Sequence, residues 1–435
     1  MATRGDRDHA TGGGGRSFHA VRPDGFNYVW DNSIEPELEI DSGEAVEFRV
    51  RDASDEQLSA DSTSEDVANL DFDHVNPVSG PVYVRDARPG DVLAVEILEF
   101  RPREWGWTAL IPGFGLLAEE FPEPWLRISR VEAERGRVIF AEGIELPYEP
   151  FPGTIGVAPA EPGPRSIVPP SRWGGNMDTK HLRVGTTLYL PVGAEGALFS
   201  VGDTHSAQGD GEVCGTAIET AMDVSLRLSV RRDFRVEAPQ FRIPPGALPR
   251  TEGTGYHVST GVAPAEPGPH SIVPPSRWGG NMDTKHLRVG TTLYLPVGEE
   301  GALFSVGDTH SAQGDGEVCG TAIETAMDVS LRLSVRRDFS IDAPQYRVPP
   351  GALPRAEGTG YHVSTGVAPD LMEATKQAVR ATIGHLGDSH GLSREEAYAL
   401  CSVAVDLRIH EVVDAPNWVV GAFLPDDIFT GGGNR

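Results

Sequence analysis

Cysteine and long apolar runs are scarce in this chain of 435 residues. Its three cysteines, Cys214, Cys319 and Cys401, are an odd number, so no disulfide framework is indicated and a reducing compartment is favoured. No stretch approaches the roughly 20 apolar residues that a membrane-spanning helix needs, and the N-terminus lacks the apolar core of a signal peptide. The sequence therefore predicts a cytoplasmic protein with no membrane partner.

Positive charge is scarce as well. Only Lys180, Lys285 and Lys376 are lysines, and 37 basic against 64 acidic side chains leave a net charge of −27. Because nucleic-acid phosphates are bound mainly by Lys and Arg, this balance argues against a nucleic-acid partner. The acidic surplus is concentrated in stretches such as residues 52–73, which we interpret as solvated surface.

Residues 156–260 and 261–365 have nearly the same sequence. The tetrapeptide GVAP begins at positions 156, 261 and 366, a constant spacing of 105 residues. We call residues 156–260 block 1 and residues 261–365 block 2, and we interpret them as a tandem duplication. They differ only at Arg165/His270, Ala194/Glu299, Arg235/Ser340, Val236/Ile341, Glu237/Asp342, Phe241/Tyr346, Ile243/Val348 and Thr251/Ala356. A single doubling of this length is unlike a solenoid, whose repeats run at roughly 20 to 50 residues.

Strand patterns dominate the blocks and the residues before them. Residues 223–230, DVSLRLSV, alternate apolar and polar side chains, which predicts a half-buried strand. Residues 185–192 and 197–205 are two further strand patterns with a short Gly-bearing connection, and we predict that they form a hairpin with GDTH at its exit. Residues 80–100 are predicted to form two strands around an Arg-Pro-Gly-Asp turn.

The C-terminal residues have a helical pattern. Asp370 with Glu373, and Ser393 with Glu396, are capping-box patterns, and an amphipathic stretch follows each of them. The sequence therefore predicts two helices after the blocks. The PPGALPR segments after residues 243 and 348 are predicted loops, and the glycine-rich ends of the chain are predicted to be disordered.

Each block carries acidic and imidazole side chains in Gly-rich segments. In block 1, Asp203 and His205 are separated by one residue on an extended segment, so their side chains point to the same side, as two ligands of one metal must. The GDGE sequence adds Glu212, the GGNMD loop adds Asp178, and Glu219 follows. Three protein ligands with an open position are typical of a hydrolytic zinc site.

The same residues permit other interpretations. A D-x-H pair in a Gly-rich turn is more often a hydrogen-bonded loop than a metal site, and Asp210 of GDGE could bond its own backbone. Cys214 has the apolar context of a small buried residue. Lys180, Glu219 and Cys214 could alternatively form a Glu-Lys-Cys amidase set, although no spacing demands it. His74 is a lone histidine and is structural by default.

Four long motifs, in order along the chain, resemble those of the acetamidase/formamidase family. They are NPVSGPVYVRDARPGDVLAVEIL (76–98), GGNMD (174–178), GDTHSAQGDGEVCGTAIET (202–220) and LSREEAYALCSVAVDLRI (392–409). The resemblance covers the chain from about residue 30 to 429 once one block is left out. It implies a mainly β (α+β) fold of two sandwich- or barrel-type β subdomains with C-terminal α-helices. It also implies a cytoplasmic homo-oligomer, with divalent zinc or calcium at its sites, that hydrolyses short linear amides such as formamide or acetamide.

Candidate site residues follow from the motifs, and their individual roles are our inference. The candidate metal ligands are Asp178, Asp203 and His205 in block 1, and Asp283, Asp308 and His310 in block 2. The candidate groups for proton transfer are Glu219, which we favour, and Glu212, with Glu324 and Glu317 at the matching positions of block 2. The residues predicted to line the substrate pocket are His74, Asn76, Asn176 and Gln208.

The predicted division of the chain follows the blocks. It consists of a disordered tail at 1–17, an N-terminal β subdomain at 18–155, block 1 at 156–260, block 2 at 261–365 and a C-terminal helical segment at 366–430. Either block can complete a one-block enzyme, or a hybrid can combine early strands of block 1 with late strands of block 2. The spare block would then expose apolar strand faces and favour larger assemblies. We expect at most one working site per chain, in block 1, and the alternative is a metal-binding β protein whose catalysis is impaired.

Overall fold

The computed structural model describes residues 19–243, 257–265, 270–313, 317, 320–349, 360–411, 416 and 418–430. The predicted tail at 1–17, the predicted loops over 244–250 and 350–355, Cys319 and the C-terminal GGGNR lie outside the described residues. Across the described residues the chain is mainly strand, with three α-helices, so the predicted mainly β (α+β) fold class is confirmed. None of the helices in this described part is both long and apolar enough to cross a membrane.

Residues 19–157 supply the first twelve strands and one short helix. The strands are β1 (His19–Ala20), β2 (Phe26–Asn27), β3 (Val29–Trp30), β4 (Leu38–Ile40), β5 (Ala45–Val50), β6 (Val78–Val84), β7 (Val92–Pro102), β8 (Trp105–Leu110), β9 (Trp125–Glu132), β10 (Arg137–Ala141), β11 (Ile144–Pro147) and β12 (Phe151–Val157). Helix α1 covers Ser64–Ala68. Short 3-10 turns cover Phe72–His74, Ala118–Glu120 and Ala133–Arg135.

The two blocks and the C-terminal residues supply the remaining elements. Block 1 contains β13 (Arg165–Ser166), β14 (Gly174–Asn176), β15 (Thr187–Pro191), β16 (Phe199–His205), β17 (Met222–Arg231) and β18 (Gln240–Arg242). Around and within block 2 lie β19 (His257–Gly261), β20 (Gly279–Gly280), β21 (Thr292–Tyr294), β22 (Ser305–His310) and β23 (Gln345–Val348). The chain ends with β24 (Tyr361–Ala368), α2 (Leu371–His390), α3 (Arg394–Ala404), β25 (Asp406–Glu411), β26 (Trp418–Pro425) and a 3-10 turn at Asp426–Ile428.

Two large sheets enclose the first core. One sheet has the strand order β1-β5-β17-β7-β15-β18, and the other has the order β14-β12-β16-β6-β2, with β4 beside β6. Phe48, Phe151 and Phe199 are fully buried between them. The predicted half-buried strand at 223–230 is confirmed as part of β17, where Leu226 and Leu228 point into this core. Block 1 therefore completes a sandwich begun by the N-terminal strands.

The predicted hairpin of residues 185–192 and 197–205 is wrong. Strand β15 pairs with β7 and β18, whereas β16 pairs with β12 and β6 in the opposite sheet. Between them, Gly196, Ala197 and Leu198 have left-handed φ values of 74°, 61° and 52°, and the chain crosses to the other sheet there instead of returning beside β15. The two strands predicted within 80–100 both form, as β6 and β7, and they too lie in different sheets.

The C-terminal helices enclose a second core, and both are confirmed. The Asp370 side chain accepts from the backbone N–H of Glu373, and Ser393 with Glu396 forms the reciprocal capping box. Helix α2 packs against β24 and β26, α3 contacts β8 and β26, and the sheet β11-β10-β9-β8 adds buried side chains to the same core. Residues 207–218 of block 1 contribute buried side chains to the same core, so the C-terminal helices hold block 1.

Block 2 repeats only part of the block 1 structure. Its sheet β20-β19-β22 reproduces the pairing β14-β12-β16, while β21 and β23 join the C-terminal strands in the order β21-β23-β24-β26-β25. Residues 328–335 have the sequence of the β17 core segment, yet they form no strand. Leu331 and Leu333 there are 47% and 65% exposed, whereas Leu226 and Leu228 are fully buried. Over the described residues, block 1 thus completes the sandwich, whereas β21 and β23 of block 2 join the C-terminal sheet.

Candidate functional site

Block 1 brings its five candidate acidic and imidazole residues together beside strand β12. Asp203 and His205 lie on β16, and Glu219 meets His205 in an antiparallel bridge. The ligand atoms of Asp203, His205 and Glu219 lie within 4.8 Å of one another, and so do those of Asp178, His205 and Glu212. His205 is common to both groups, so it is the centre of the cluster.

The N-terminal half covers this cluster from the outside. Trp107 of β8 pairs with Glu219 through two backbone hydrogen bonds of 3.0 and 2.8 Å. Gly153 of β12 leaves room for the carboxylates, because a Cβ there would lie 2.5 Å from Oδ1 of Asp178 and 2.9 Å from Oδ2 of Asp203. Sequence analysis did not identify Gly153. A glycine inside a strand pattern was its only signal, and that pattern is typical of close approach by another group.

Left-handed backbone conformations are concentrated at the cluster. Asp178, Asp203 and Glu212 have φ values of 45°, 53° and 42°, and the neighbouring Asn76 has a φ of 54°. Each such conformation costs a non-glycine residue about 1 to 3 kcal/mol and persists only where the surrounding structure enforces it. The fold therefore holds these side chains in directions that relaxed backbone would not give them.

Gln208 fixes the orientation of the His205 ring. The amide nitrogen of Gln208 donates to the carbonyl oxygen of Asp178 over 2.9 Å, so its amide oxygen faces the imidazole, 2.8 Å from Nδ1. The Nδ1–H of His205 donates to that oxygen, which leaves the lone pair of the neutral ring on Nε2. This is the arrangement in which a histidine binds a metal through Nε2.

Four buried polar atoms of the cluster have no hydrogen-bond partner: Asp178 Oδ1, Asp203 Oδ1, His205 Nε2 and Glu219 Oε2. Nε2 of His205 lies 3.1 Å from Oε2 of Glu219, 3.3 Å from Oδ1 of Asp203 and 4.0 Å from Oε1 of Glu212. Buried polar atoms are normally paired, so four unpaired atoms within two residue groups that share His205 require an explanation. Imidazole nitrogen with carboxylate oxygens is a ligand set that suits zinc, and these residues fit a divalent cation.

Burial and the neighbouring charges shift the pKa of each titratable residue in the cluster. Burial raises the pKa of Glu219 to about 7, and burial together with the charge of Asp203 raises the pKa of Asp178 to about 7. Burial, with the charge of Asp178, raises the pKa of Glu212 well above its ordinary value. Burial opposes protonation of His205, but the Glu219 and Asp203 carboxylates outweigh it and raise the pKa of the imidazole. The pKa of Asp203 is lowered, because His205 outweighs the effect of burial.

A polar network lies beside the carboxylates. The hydroxyl of Thr154 donates to Oδ1 of Asn176 over 2.5 Å, and Nδ2 of Asn76 reaches the same oxygen at 3.2 Å. Thr154 also lies 3.4 Å from Oδ2 of Asp203. The structure thus places Asn76 and Asn176, both predicted to bind substrate, next to the cluster. Thr154 was missed by sequence analysis, since nothing in its strand distinguishes it from other threonines.

His74 lies apart from this network. It is exposed, and its ring is 2.8 Å from a carboxylate oxygen of Asp71 and packs edge-on against Tyr28. The hydrogen bond to Asp71 raises the pKa of His74. Its assignment to the substrate pocket stays a prediction.

Cys214 is buried outside the cluster. Its thiol contacts Ala109 and Thr216, and burial raises the pKa of that thiol. The ammonium of Lys180 pairs with Asp210 and Asp406. Within the described part of the chain, no contact joins Lys180, Cys214 and Glu219 into the alternative amidase set.

Block 2 holds a second cluster at the matching positions, and it is more open. Asp283, Asp308 and His310 form one group, and His310, Glu317 and Glu324 form another. Nε2 of His310 lies 3.0 Å from Asp308 and 2.9 Å from Glu324. The side chains of Asp308 and Glu324 are 41% and 49% exposed, against 6% and 2% for Asp203 and Glu219 in block 1.

Strand pairing explains the difference between the two clusters. In block 1, Pro152 pairs with Thr204 and Thr154 with Gly202, so Asp203 lies opposite Gly153. In block 2, the register shifts between Val258 and Ser259, which pair with Thr309 and Gly307, so Asp308 has no opposite residue on β19. Val258 stands three residues before block 2, at the position that Gly153 occupies three residues before block 1. The cluster of block 2 therefore lacks the preceding glycine that leaves room for the carboxylates of block 1.

Comparison with known proteins identifies the family. A sequence profile described as the Acetamidase/Formamidase family matches residues 16–166, 160–272 and 249–431. The chain belongs to the acetamidase/formamidase family of amide hydrolases. The chain is 26% identical over 410 residues to a formamidase of Methylophilus methylotrophus, and the aligned region covers 88% of this chain and 84% of that protein. It is 28% identical over 300 residues to a putative formamidase of Schizosaccharomyces pombe, and the aligned region covers 55% of this chain and 73% of that protein.

A solved structure shows the same fold. The chain matches a gamma lactamase from Delftia acidovorans with a TM-score of 0.63 and 21% sequence identity, covering 94% of this chain and 91% of that chain. At this identity the likeness shows the fold alone. It agrees with the mainly β architecture and the C-terminal helices of the acetamidase/formamidase chain described here.

Proposed function

We propose that this chain hydrolyses short linear amides, of the formamide or acetamide kind, to the carboxylate and ammonia, with a divalent metal held by block 1. The observation that carries the proposal is the set of four buried, unpaired polar atoms in two residue groups that share His205, in a member of an amide-hydrolase family. The relatives named formamidase support this class of substrate.

Asp178, Asp203 and His205 are the residues we assign to the metal. Their ligand atoms include three of the four unpaired atoms, and Gln208 and Gly153 hold them in place. A bound zinc ion would polarise the amide carbonyl and lower the pKa of a bound water. Gln208, predicted to contact substrate, is assigned instead to orienting the His205 ring.

Glu219 is the group we assign to proton transfer. Its Oε1 accepts from the backbone N–H of Ala217 over 2.7 Å, which fixes the carboxylate, while Oε2 stays unpaired and faces the cluster. A carboxylate placed in this way can take the proton from the attacking water and return it to the departing nitrogen. The amide nitrogen must be protonated before it leaves, so one group in both steps is sufficient. Glu212, 4.0 Å from His205, is the second candidate for this role.

Block 1 is the block that we assign to catalysis. Its cluster is buried under β8 and β12 and is held by the C-terminal helices, and both parts of the chain occur once. The block 2 candidates Asp283, Asp308, His310, Glu317 and Glu324 lack the equivalent of Gly153, and two of them, Asp308 and Glu324, are exposed. We further propose that the blocks arose by tandem duplication and that block 2 retains a structural role in the C-terminal sheet.

Ammonia release tests this function directly. The purified full chain, treated with chelator and then reloaded with zinc, is assayed on formamide, acetamide and a cyclic amide. We expect release that disappears with the chelator and returns with zinc. A chain that retains zinc but releases no ammonia would support the alternative, a metal-binding protein without catalysis.

A thiol mechanism is tested by the cysteines. The double variant Cys214→Ala and Cys319→Ala should keep most of the zinc-dependent ammonia release, because the buried Cys214 thiol contacts Ala109 and Thr216, outside the cluster. Complete loss of activity in a folded double variant would contradict the metal mechanism and favour a cysteine nucleophile.

A further inference from the structure

Lys180 joins three segments that surround the block 1 cluster. Its ammonium lies 3.2 Å from Oδ1 of Asp210 and also pairs with Asp406. Lys180 follows Asp178 by two residues, Asp210 precedes Glu212 by two residues, and Asp406 begins strand β25. The side chain of Lys180 is only 12% exposed, so this charge is largely removed from solvent.

The three segments are close-packed at this point. Gly209 donates its backbone N–H to the carbonyl of Ser402 over 2.9 Å, and a Cβ on Gly209 would lie 2.1 Å from the carbonyl oxygen of Val405. On the other side, Arg183 donates to the carbonyl of Lys180 and holds Glu149 with two hydrogen bonds of 2.7 and 2.8 Å. The backbone on both sides of the ion triad is therefore fixed, and the ammonium fills the gap between the segments.

The charge balance of the triad depends on the lysine. Asp210 and Asp406 share its ammonium, and the guanidinium of Arg408 lies 3.9 Å from the other side-chain oxygen of Asp406, so loss of the ammonium would leave two neighbouring carboxylates with only part of their charge compensated. Like charges in a poorly solvated position repel more strongly than on an open surface. Removing the ammonium should therefore push the loop of Asp210 and Glu212 away from β25 and from the Asp178 loop.

We propose that Lys180 is a positioning residue of the amidase site, which sets the separation of Asp178 and Glu212 through its ion pairs with Asp210 and Asp406. This inference rests on the proposed function. Lys180 touches neither the reacting atoms nor the assigned metal ligands, so its effect is transmitted through the two loops. Outer residues that orient metal ligands typically change metal affinity or activity by about 10 to 100-fold when they are replaced.

The experiment compares Lys180→Met with Lys285→Met, the same change in the same local sequence of block 2. Zinc affinity is measured by competition with a chromophoric chelator, and kcat and KM are measured separately on formamide. We expect Lys180→Met to weaken zinc binding and to lower kcat, each by about 10 to 100-fold, with a smaller change in KM. Lys285→Met should match the wild type in all three, and Lys180→Arg should recover part of the loss.

A double variant separates positioning from unfolding. Lys180→Met combined with Asp406→Asn removes the repulsion as well as the ammonium, and it should recover zinc affinity and kcat relative to Lys180→Met alone. Zinc affinity and kcat of Lys180→Met equal to those of Lys285→Met would overturn the proposal, and so would a change confined to KM. A wild-type chain that binds zinc but releases no ammonia would refute the proposed function and leave the zinc measurements to decide the role of Lys180. A wild-type chain without zinc affinity would overturn both.

Discussion

His205 and Glu219 face each other across an antiparallel bridge, with Nε2 of the imidazole 3.1 Å from Oε2 of the carboxylate and both side chains buried. Asp203 lies 3.3 Å from the same nitrogen. These residues come from one continuous stretch of block 1, yet their burial depends on Trp107 and Gly153 of the N-terminal half. Block 2 has the same stretch without these covering residues, so it keeps the candidate ligands but does not enclose them.

Gln208→Ala should impair the site without unfolding the chain. The variant removes the oxygen that accepts from Nδ1 of His205, so the ring is free to rotate and Nε2 is no longer directed at the cluster. We expect kcat/KM on formamide to fall by about 10 to 100-fold. Gln313→Ala, the matched change in block 2, should leave it unchanged. Equal losses in both variants would show that both clusters contribute.

Gly202→Ala and Gly307→Ala should differ in the free energy of unfolding. A Cβ on Gly202 would lie 2.3 Å from the carbonyl oxygen of Pro77, whereas nothing lies within 4 Å of a Cβ on Gly307. We expect a loss of about 1 to 3 kcal/mol for Gly202→Ala, as for overpacking, and a change within about 0.5 kcal/mol for Gly307→Ala. Urea unfolding measures both. The opposite order would mean that β6 pairs with block 2.

Leu331→Lys should be tolerated where Leu226→Lys is not. The two leucines occupy the same position of the repeated sequence, but Leu226 is fully buried on β17 and Leu331 is 47% exposed. A buried unpaired ammonium costs several kcal/mol, so Leu226→Lys should lower Tm strongly or prevent folding. Leu331→Lys should keep the wild-type Tm and reduce self-association in light scattering, because it breaks an exposed apolar stretch. Equal Tm losses in the two variants would contradict the described arrangement.

Acid should destabilise the C-terminal sheet through His362 of β24 and His385 of α2. The centroids of their rings lie 3.5 Å apart. Burial, with the charge of His385, lowers the pKa of His362 to about 3. Burial, with the charge of His390, lowers the pKa of His385 to about 4. A histidine whose pKa is lower in the folded state makes its full contribution to the free energy of unfolding above its unfolded pKa of about 6.5. This contribution is lost as pH falls below that value. Between pH 7.5 and pH 5, each ring should lower the free energy of unfolding by about 2 kcal/mol.

The variant His362→Gln isolates this effect from that of other titrating groups. Glutamine can still reach Gln345, the hydrogen-bond partner of His362, but it cannot take up a proton. The difference in urea midpoint between pH 7.5 and pH 5 should therefore be smaller in the variant than in the wild type. An identical pH dependence in both proteins would show that the stack stays neutral or opens without cost.

Local patterns in the sequence predicted much of the fold. Both C-terminal helices follow from their caps, and β17 follows from its alternation, because these signals lie within one segment. The hairpin at 185–205 was wrong because pairing depends on where the chain turns, and the left-handed residues Ala197 and Leu198 direct it to the opposite sheet. Nothing in the residue types of that connection identifies such a turn.

The sequence predicted which residues form the candidate site but not which residues hold them in place. Asp178, Asp203, His205, Glu212 and Glu219 come together as the motifs indicated. Gly153 and Thr154 were missed because they act on residues far along the chain, through contacts that only the folded sandwich creates. The sequence could not distinguish the blocks by their own residues, since the distinction arises from the strands that each block contacts.

The central claim is that block 1 holds the metal and performs the hydrolysis, and the pair Asp203→Ala and Asp308→Ala tests it most directly. Bound zinc per chain and ammonia release from formamide are measured for each variant and for the wild type. We predict that Asp203→Ala loses the zinc and at least about 100-fold of the activity, as expected for a direct metal ligand, while Asp308→Ala retains both. Loss of both in Asp308→Ala, or their survival in Asp203→Ala, would contradict the account.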